Sequence, residues 1–158
     1  MQKVVEIIDR LKENRETISF AESCTGGLLA STFTAISGVS TVFNGSVVSY
    51  SNEIKHKWLK VDNKILENFG AVSSQCVEEM LKGIKSMSSS DYAIAISGIA
   101  GPTGGSELKP VGTVYIGVIT PNDIKVERFL FDGDRENIQK EARDMAILMI
   151  YREIIEKI

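Results

Sequence analysis

Ala21-Glu22-Ser23-Cys24-Thr25-Gly26-Gly27 is the stretch on which the reading of this chain turns. An apolar strand-like run, Thr17-Ile18-Ser19-Phe20, ends there, and a helical pattern, Leu28-Leu29-Ala30-Ser31-Thr32-Phe33, begins. A side chain on a sharp strand-to-helix turn is exposed at the edge of the sheet, and the free N–H groups there can face a developing negative charge. Ser23 is the best-placed hydroxyl for a nucleophile.

The segments around the turn give the fold class. Upstream, Val4, Ile7, Ile8 and Leu11 recur at helical spacing and predict an amphipathic helix that ends near Lys12-Glu13-Asn14-Arg15. The first strand is expected at about Thr17–Ala21 and the second helix up to about Ile36. Downstream, Phe43-Asn44-Gly45-Ser46 reads as a turn or bulge leading into a second strand, Val47–Ser51, and Asn52 as the cap of a short helix, Glu53 to Leu59. A capped segment around Lys64–Asn68 follows, and Ser73 or Ser74 starts a longer helix on the spacing of Val77, Met80, Leu81 and Ile84. Asp91-Tyr92-Ala93-Ile94-Ala95-Ile96-Ser97 is apolar almost throughout, as befits a central strand covered on both faces. Lys109–Ile119 and Ile124–Phe131 pair as a hairpin across Pro121-Asn122-Asp123, and Asp134 caps a long C-terminal helix. The expected architecture is a single domain over residues 1–158, a three-layer α/β/α sandwich on a mixed, about five-stranded sheet. With the first three strands parallel, the loops after Ala21, Tyr50 and Ser97 leave the sheet at one edge, where open α/β sheets bind ligands.

Composition narrows the function. At 158 residues, 43% hydrophobic and 25% charged, the chain is long enough to bury a sizeable core without metals or disulfides. A net charge of −3 with no basic cluster interleaved with aromatics argues against a nucleic-acid partner. No apolar run approaches the ~20 residues that span a bilayer, and early charge interrupts any export signal, so the expectation is a cytoplasmic protein with no membrane partner and with Cys24 and Cys76 reduced. The two cysteines are not in a metal-type spacing, and a small molecule is the expected ligand.

Serine requires a base, and the one histidine, His56, sits in the polar run Glu53-Ile54-Lys55-His56-Lys57, the setting of a solvated surface residue. Lys55 follows the second strand at the edge where Ser23 lies, and Ser-Lys dyads replace histidine in some hydrolases. To act as a base near neutrality, a lysine must be brought down from its ordinary pKa of ~10.4 by desolvation or a nearby cation; otherwise Lys55 is an exposed charge on a short helix. Tyr50 either hydrogen-bonds in the same pocket or is an ordinary strand aromatic. Cys24 is a rival nucleophile or a small packing residue, and Glu22 a proton carrier or an organiser of the turn. Gly98-Ile99-Ala100-Gly101-Pro102-Thr103-Gly104-Gly105 is a loop whose backbone can approach a ligand closely, yet it matches neither the P-loop nor the dinucleotide fingerprint. Lys109 and Arg135 each stand as a candidate to neutralise a phosphate or as a charge at an element boundary.

Taken together, Ala21–Gly27, Tyr50-Ser51-Asn52-Glu53-x-Lys55, Gly70-Ala71-Val72-Ser73, Ser97-Gly98-Ile99-Ala100-Gly101-Pro102-x-Gly104-Gly105, Lys109–Val114 and Gly133-Asp134-Arg135 resemble the CinA C-terminal domain family over nearly the whole chain. Enzymatic members of that family are nicotinamide mononucleotide deamidases. The resemblance implies a metal-free, cofactor-free serine amidohydrolase that converts nicotinamide mononucleotide to nicotinate mononucleotide and ammonia. It implies Ser23 as nucleophile, Lys55 as base and Tyr50 in the same pocket. The N–H groups near Cys24, Thr25 and Gly26 are then expected at the oxyanion, and Gly98, Ala100, Gly101, Gly104, Gly105 and Arg135 at the nucleotide, with the phosphate against the loop or Arg135. A homo-oligomer is compatible with the resemblance. The family often has two glycines after the phenylalanine where this chain reads Phe43-Asn44-Gly45-Ser46, and at 158 residues the expectation is a chain without the N-terminal domain of the longer members. The alternatives are a non-catalytic nucleotide- or partner-binding module of the same fold, which would lack Ser23 or Lys55, and an amidase on another substrate.

Overall fold

The hydrophobic spacing of the chain resolves into two helical layers enclosing a sheet in the computed structural model, which describes residues 1–157. Strands β1 (Ile18–Glu22), β2 (Phe43–Val48), β3 (Tyr92–Gly98), β4 (Thr113–Ile119) and β5 (Ile124–Leu130) form one sheet in the order β2-β1-β3-β4-β5. Both neighbours of β1, β2 and β3, run parallel to it, while β4 and β5 are antiparallel additions joined as a hairpin. The sheet is therefore mixed, and the C-terminal ends of β1, β2 and β3 open on the same edge.

Helices α1 (Gln2–Asn14), α2 (Leu28–Thr34) and α6 (Arg135–Tyr151) cover one face. Val4, Ile7, Ile8 and Leu11 of α1 are buried there with Ile18 and Phe20 of β1, Ile94 and Ile96 of β3, and Ile138 and Ala142 of α6. Burying side chains of this size stabilises the fold by roughly 1.5–3 kcal/mol each. Helices α3 (Asn52–Leu59), α4 (Asn63–Phe69) and α5 (Ser74–Ser88) cover the other face, where Leu59, Leu66, Val77, Met80, Leu81 and Ile84 pack on Ala21, Ala93 and Ala95. Small residues on that side of β1 and β3 leave room for α5 to lie close. The α/β/α sandwich follows from this partition.

Several boundaries differ from those read in the sequence. β2 begins at Phe43, because Asn44 is accommodated as a bulge: Ile18 pairs with Phe43 and Ser19 with Gly45. The strand ends at Val48, and the cap of α3 is Ser51 rather than Asn52, its Oγ accepting from the Ile54 N–H at 3.2 Å. β4 begins at Thr113, not Lys109. Pro110 has no N–H for the ladder, Gly112 adopts a φ of +95°, and the Thr113 N–H turns back to the Pro110 carbonyl at 3.0 Å. Ser73 caps α5 through the Cys76 N–H, and Asp134 caps α6 through the Asn137 N–H. None of the helices among the described residues is long and apolar enough to cross a membrane.

Candidate active site

Three chain segments leave the same sheet edge and meet in a cleft of about 240 Å³. Ser23 and Cys24 come from the turn after β1, Tyr50, Asn52 and Lys55 from the β2–α3 connection and α3, and Ser97 to Gly101 from the end of β3 and its loop. Ala71 and Val72 add an apolar wall, and Arg135, the first residue of α6, closes the rim. Thr103 and Gly104 also line the cleft, whereas Gly105 does not. Gly105 lies back on the Pro110–Val111 segment, where a Cβ would come within 2.8 Å of the Val111 nitrogen.

Ser23 is 7% exposed and Lys55 only 1%. α3 begins so soon after β2 that the side chain of Lys55 passes back under Tyr50. Its Nζ lies 3.1 Å from Ser23 Oγ and donates to the Tyr50 carbonyl at 3.0 Å. Among the described residues no carboxylate forms an ion pair with Lys55. Burial pushes its pKa below the ordinary lysine range, since the ammonium loses hydration that nothing charged replaces. The downward shift eases formation of the neutral amine, whose lone pair could receive a hydroxyl proton 3.1 Å away.

Around Ser23 the turn is tightly organised. Glu22, fully buried at the end of β1, accepts from Thr25 Oγ1 at 2.7 Å and from the N–H groups of Leu29 and Ala30 at 2.9 and 3.0 Å. Its carboxylate thus satisfies donors that the first turn of α2 leaves without a partner. The Gly26 N–H closes the turn on the Ser23 carbonyl at 3.0 Å, and the Ser23 N–H is bound to Ile96 O. Gly26 is therefore not a free oxyanion donor, contrary to the sequence expectation: its φ of +60° and its N–H both serve the turn. Among the described residues, the N–H groups of Cys24 and Thr25 have no acceptor in another residue.

Cys24 is buried and its thiol is pushed up to about 12, chiefly by desolvation, which keeps it protonated at neutral pH. His56 is exposed, and its Nδ1 donates to the Val61 carbonyl at 2.7 Å, so no Ser-His-Asp triad is assembled. Lys109 is tied to the Phe69 carbonyl at 2.8 Å and does not line the cleft. Tyr50, 57% exposed, brings two groups: its carbonyl receives Lys55, and its hydroxyl accepts from Arg135 Nη2 at 2.8 Å. Arg135 Nη1 donates to the Gly101 carbonyl at 2.7 Å, joining the two loops across the rim.

Sequence reasoning missed Gln139, which donates from α6 to the Cys24 carbonyl at 2.9 Å. Its one signal was a position four residues after Arg135, on the same helix face. Asn52, Ala71, Val72, Ser97, Ile99 and Thr103 were likewise not singled out as lining residues, although all six lie inside stretches already noted.

Against known proteins, the family model described as the CinA C-terminal domain matches residues 2–154. The chain is 52% identical to a CinA-like protein of Fervidobacterium nodosum over 95% of its length and 46% identical to one of Thermotoga neapolitana over 99%. It spans only 37% and 38% of those two proteins. Among solved structures it superposes on the competence damage-inducible protein A (ComA) of Klebsiella pneumoniae with a TM-score of 0.92 at 34% identity, covering 96% of this chain and 94% of that one. The competence/damage inducible protein CihA of Agrobacterium tumefaciens gives a TM-score of 0.92 at 36% identity, covering 94% and 92%. With a family match running from the first helix to the last and the same sheet in solved relatives, this chain belongs to the CinA C-terminal domain family.

Proposed function

We propose that this domain is a cytoplasmic serine amidohydrolase that converts nicotinamide mononucleotide to nicotinate mononucleotide and ammonia. The observation that carries the reading is the buried Lys55 Nζ, unpaired with any carboxylate among the described residues and 3.1 Å from Ser23 Oγ. Neutral Lys55 takes the Ser23 proton as Oγ attacks the carboxamide carbon. The tetrahedral oxyanion is received by the N–H groups of Cys24 and Thr25, donors of a kind worth about 3–4 kcal/mol each. The lysinium returns its proton to the departing nitrogen, which leaves as ammonia. A water then gives a proton to Lys55 and its oxygen to the acyl carbon, and the Ser23 hydroxyl is restored by the proton Lys55 holds.

The choice of substrate is supported by the walls of the cleft. No Asp or Glu lines it among the described residues, while Arg135 stands at the rim with a guanidinium able to meet a phosphate. Ala71, Val72, Ile99 and Ala100 offer an apolar surface of the kind that suits a flat pyridine ring.

Ammonia release from nicotinamide mononucleotide, with free nicotinamide and NAD as comparisons, tests the proposal. Turnover of the mononucleotide well above the other two is expected. Binding without release would instead identify a nucleotide-binding module, and release from a different carboxamide would keep the acyl chemistry but change the substrate.

A further inference from the structure

Gln139 occupies a half-buried position on α6, outside the cleft lining, and the only side-chain hydrogen bond described for it is the donation from Nε2 to the Cys24 carbonyl at 2.9 Å. The Cys24–Thr25 peptide is trans, so its carbonyl oxygen and the Thr25 N–H point in opposite directions. Anchoring the oxygen therefore fixes the direction of the N–H. From the other side, Thr25 Oγ1 is held by the buried carboxylate of Glu22 at 2.7 Å. Ser23 to Gly26 form a turn closed by the Gly26 N–H on the Ser23 carbonyl, and in such a turn the N–H of the third residue faces the side chain of the first. Those two groups are the Thr25 N–H and Ser23 Oγ. A hydrogen bond accepted by a carbonyl also polarises its amide and makes the attached N–H a stronger donor.

We infer that Gln139 is a positioning residue for acyl transfer: from α6 it anchors the Cys24 carbonyl and so aims the Thr25 N–H at the oxyanion that forms when Ser23 attacks. The inference rests on the acyl chemistry proposed above but not on the identity of the substrate. It gives α6 two duties on one face, with Arg135 at the rim of the cleft and Gln139 behind the nucleophile turn.

A fluorophosphonate reports on the turn without any nucleotide. Ser23 Oγ forms a bond to phosphorus, the P–F bond breaks with its electron pair leaving on fluoride, and the Oγ proton passes to Lys55. The phosphoryl oxygen occupies the place of the oxyanion. Gln139→Met keeps the length of the side chain without a donor, and Gln139→Glu keeps its shape but turns an acceptor toward the carbonyl. Both are expected to keep the wild-type Tm and to label at Ser23 about 10- to 100-fold more slowly. In nicotinamide mononucleotide hydrolysis, kcat should fall by a like factor with KM nearly unchanged, whereas a merely loosened fold would lower Tm and raise KM together. Labelling of folded Gln139→Met at the wild-type rate overturns the inference. So does a wild type that is not labelled at Ser23, because no activated nucleophile would then be present. Slowed labelling of the variants with no turnover of the mononucleotide by wild type would sink the substrate reading alone and leave Gln139 in its role.

Discussion

Lys55 Nζ stands 3.1 Å from Ser23 Oγ at the floor of the cleft, held to the Tyr50 carbonyl and paired with no carboxylate among the described residues. Elsewhere in the molecule lysines of α3, α5 and α6 sit four residues from glutamates on exposed helix faces. Lys55 is the contrary case: a cation taken out of water with only dipoles around it, which favours the neutral amine.

The pH dependence of turnover follows from that burial. With Lys55 as the proposed base, which must be neutral to act, kcat/KM is expected to rise with pH on a single acidic limb whose midpoint lies below the ordinary lysine value of ~10.4. A rate profile against pH checks this, and a limb in the ordinary lysine range would mean that burial does not tune Lys55.

Stability carries the same signature with a definite sign. The folded-state pKa of Lys55 lies below its unfolded value, so the unfolded chain binds more protons between the two, and stability rises with pH across that window. Below the folded-state pKa the full cost of a buried ammonium remains. Lys55→Met removes that cost and is expected to raise Tm at neutral pH by a few degrees, about 1 kcal/mol, while abolishing turnover. Thermal unfolding at neutral pH and again near pH 10 measures the difference, which shrinks at the higher pH.

Arg135 is exposed and already spends two donors on Gly101 and Tyr50, so it contributes a charge to the rim without supporting the core. Arg135→Ala is expected to raise KM for the mononucleotide about tenfold or more with a smaller change in kcat. The riboside lacking the phosphate should not distinguish the variant from wild type. Steady-state kinetics with both substrates gives the answer.

Cys24 shares the turn with Ser23, but its thiol is pushed up to about 12 by burial. Cys24→Ala should hydrolyse the substrate within a few-fold of the wild-type rate, and iodoacetamide at neutral pH should leave the wild type active. Inactivation by the alkylating agent, traced to Cys24 by peptide mass, would contradict this.

The packing that holds α3 in place depends on one glycine. A Cβ on Gly83 of α5 would collide with the backbone carbonyl of Leu59 at the end of α3, four residues after Lys55. Gly83→Ala is expected to cost about 1–3 kcal/mol of stability and to lower kcat by moving Lys55 away from Ser23. Denaturant unfolding and turnover of the same variant measure both effects.

Much of the sandwich was legible because period and burial coincide. Val4, Ile7, Ile8 and Leu11 mark one face of α1, and the unbroken apolar run of β3 marks a strand covered on both sides. Boundaries failed where local hydrogen bonding decides them: the Asn44 bulge extends β2 backward, and Pro110 with Gly112 postpones β4. At the site, Ser23 and Lys55 were visible as residue types placed after parallel strands. Which atoms of Tyr50 would matter was not, since its carbonyl serves the lysine while its hydroxyl serves Arg135. Gly26 shows the same limit, because a sequence reveals an N–H group but not that a turn has already used it. Gln139 lies 115 residues beyond Cys24 and meets it only through the packing of α6 on the turn.

Ammonia release from nicotinamide mononucleotide by wild type, Ser23→Ala and Lys55→Ala, each verified as folded by its Tm, tests the dyad most directly. Turnover by wild type with the loss of at least about 10³-fold in both variants is the predicted result. A folded Ser23→Ala that releases ammonia at the wild-type rate would contradict the assignment of Ser23 as nucleophile and with it the role given to Lys55.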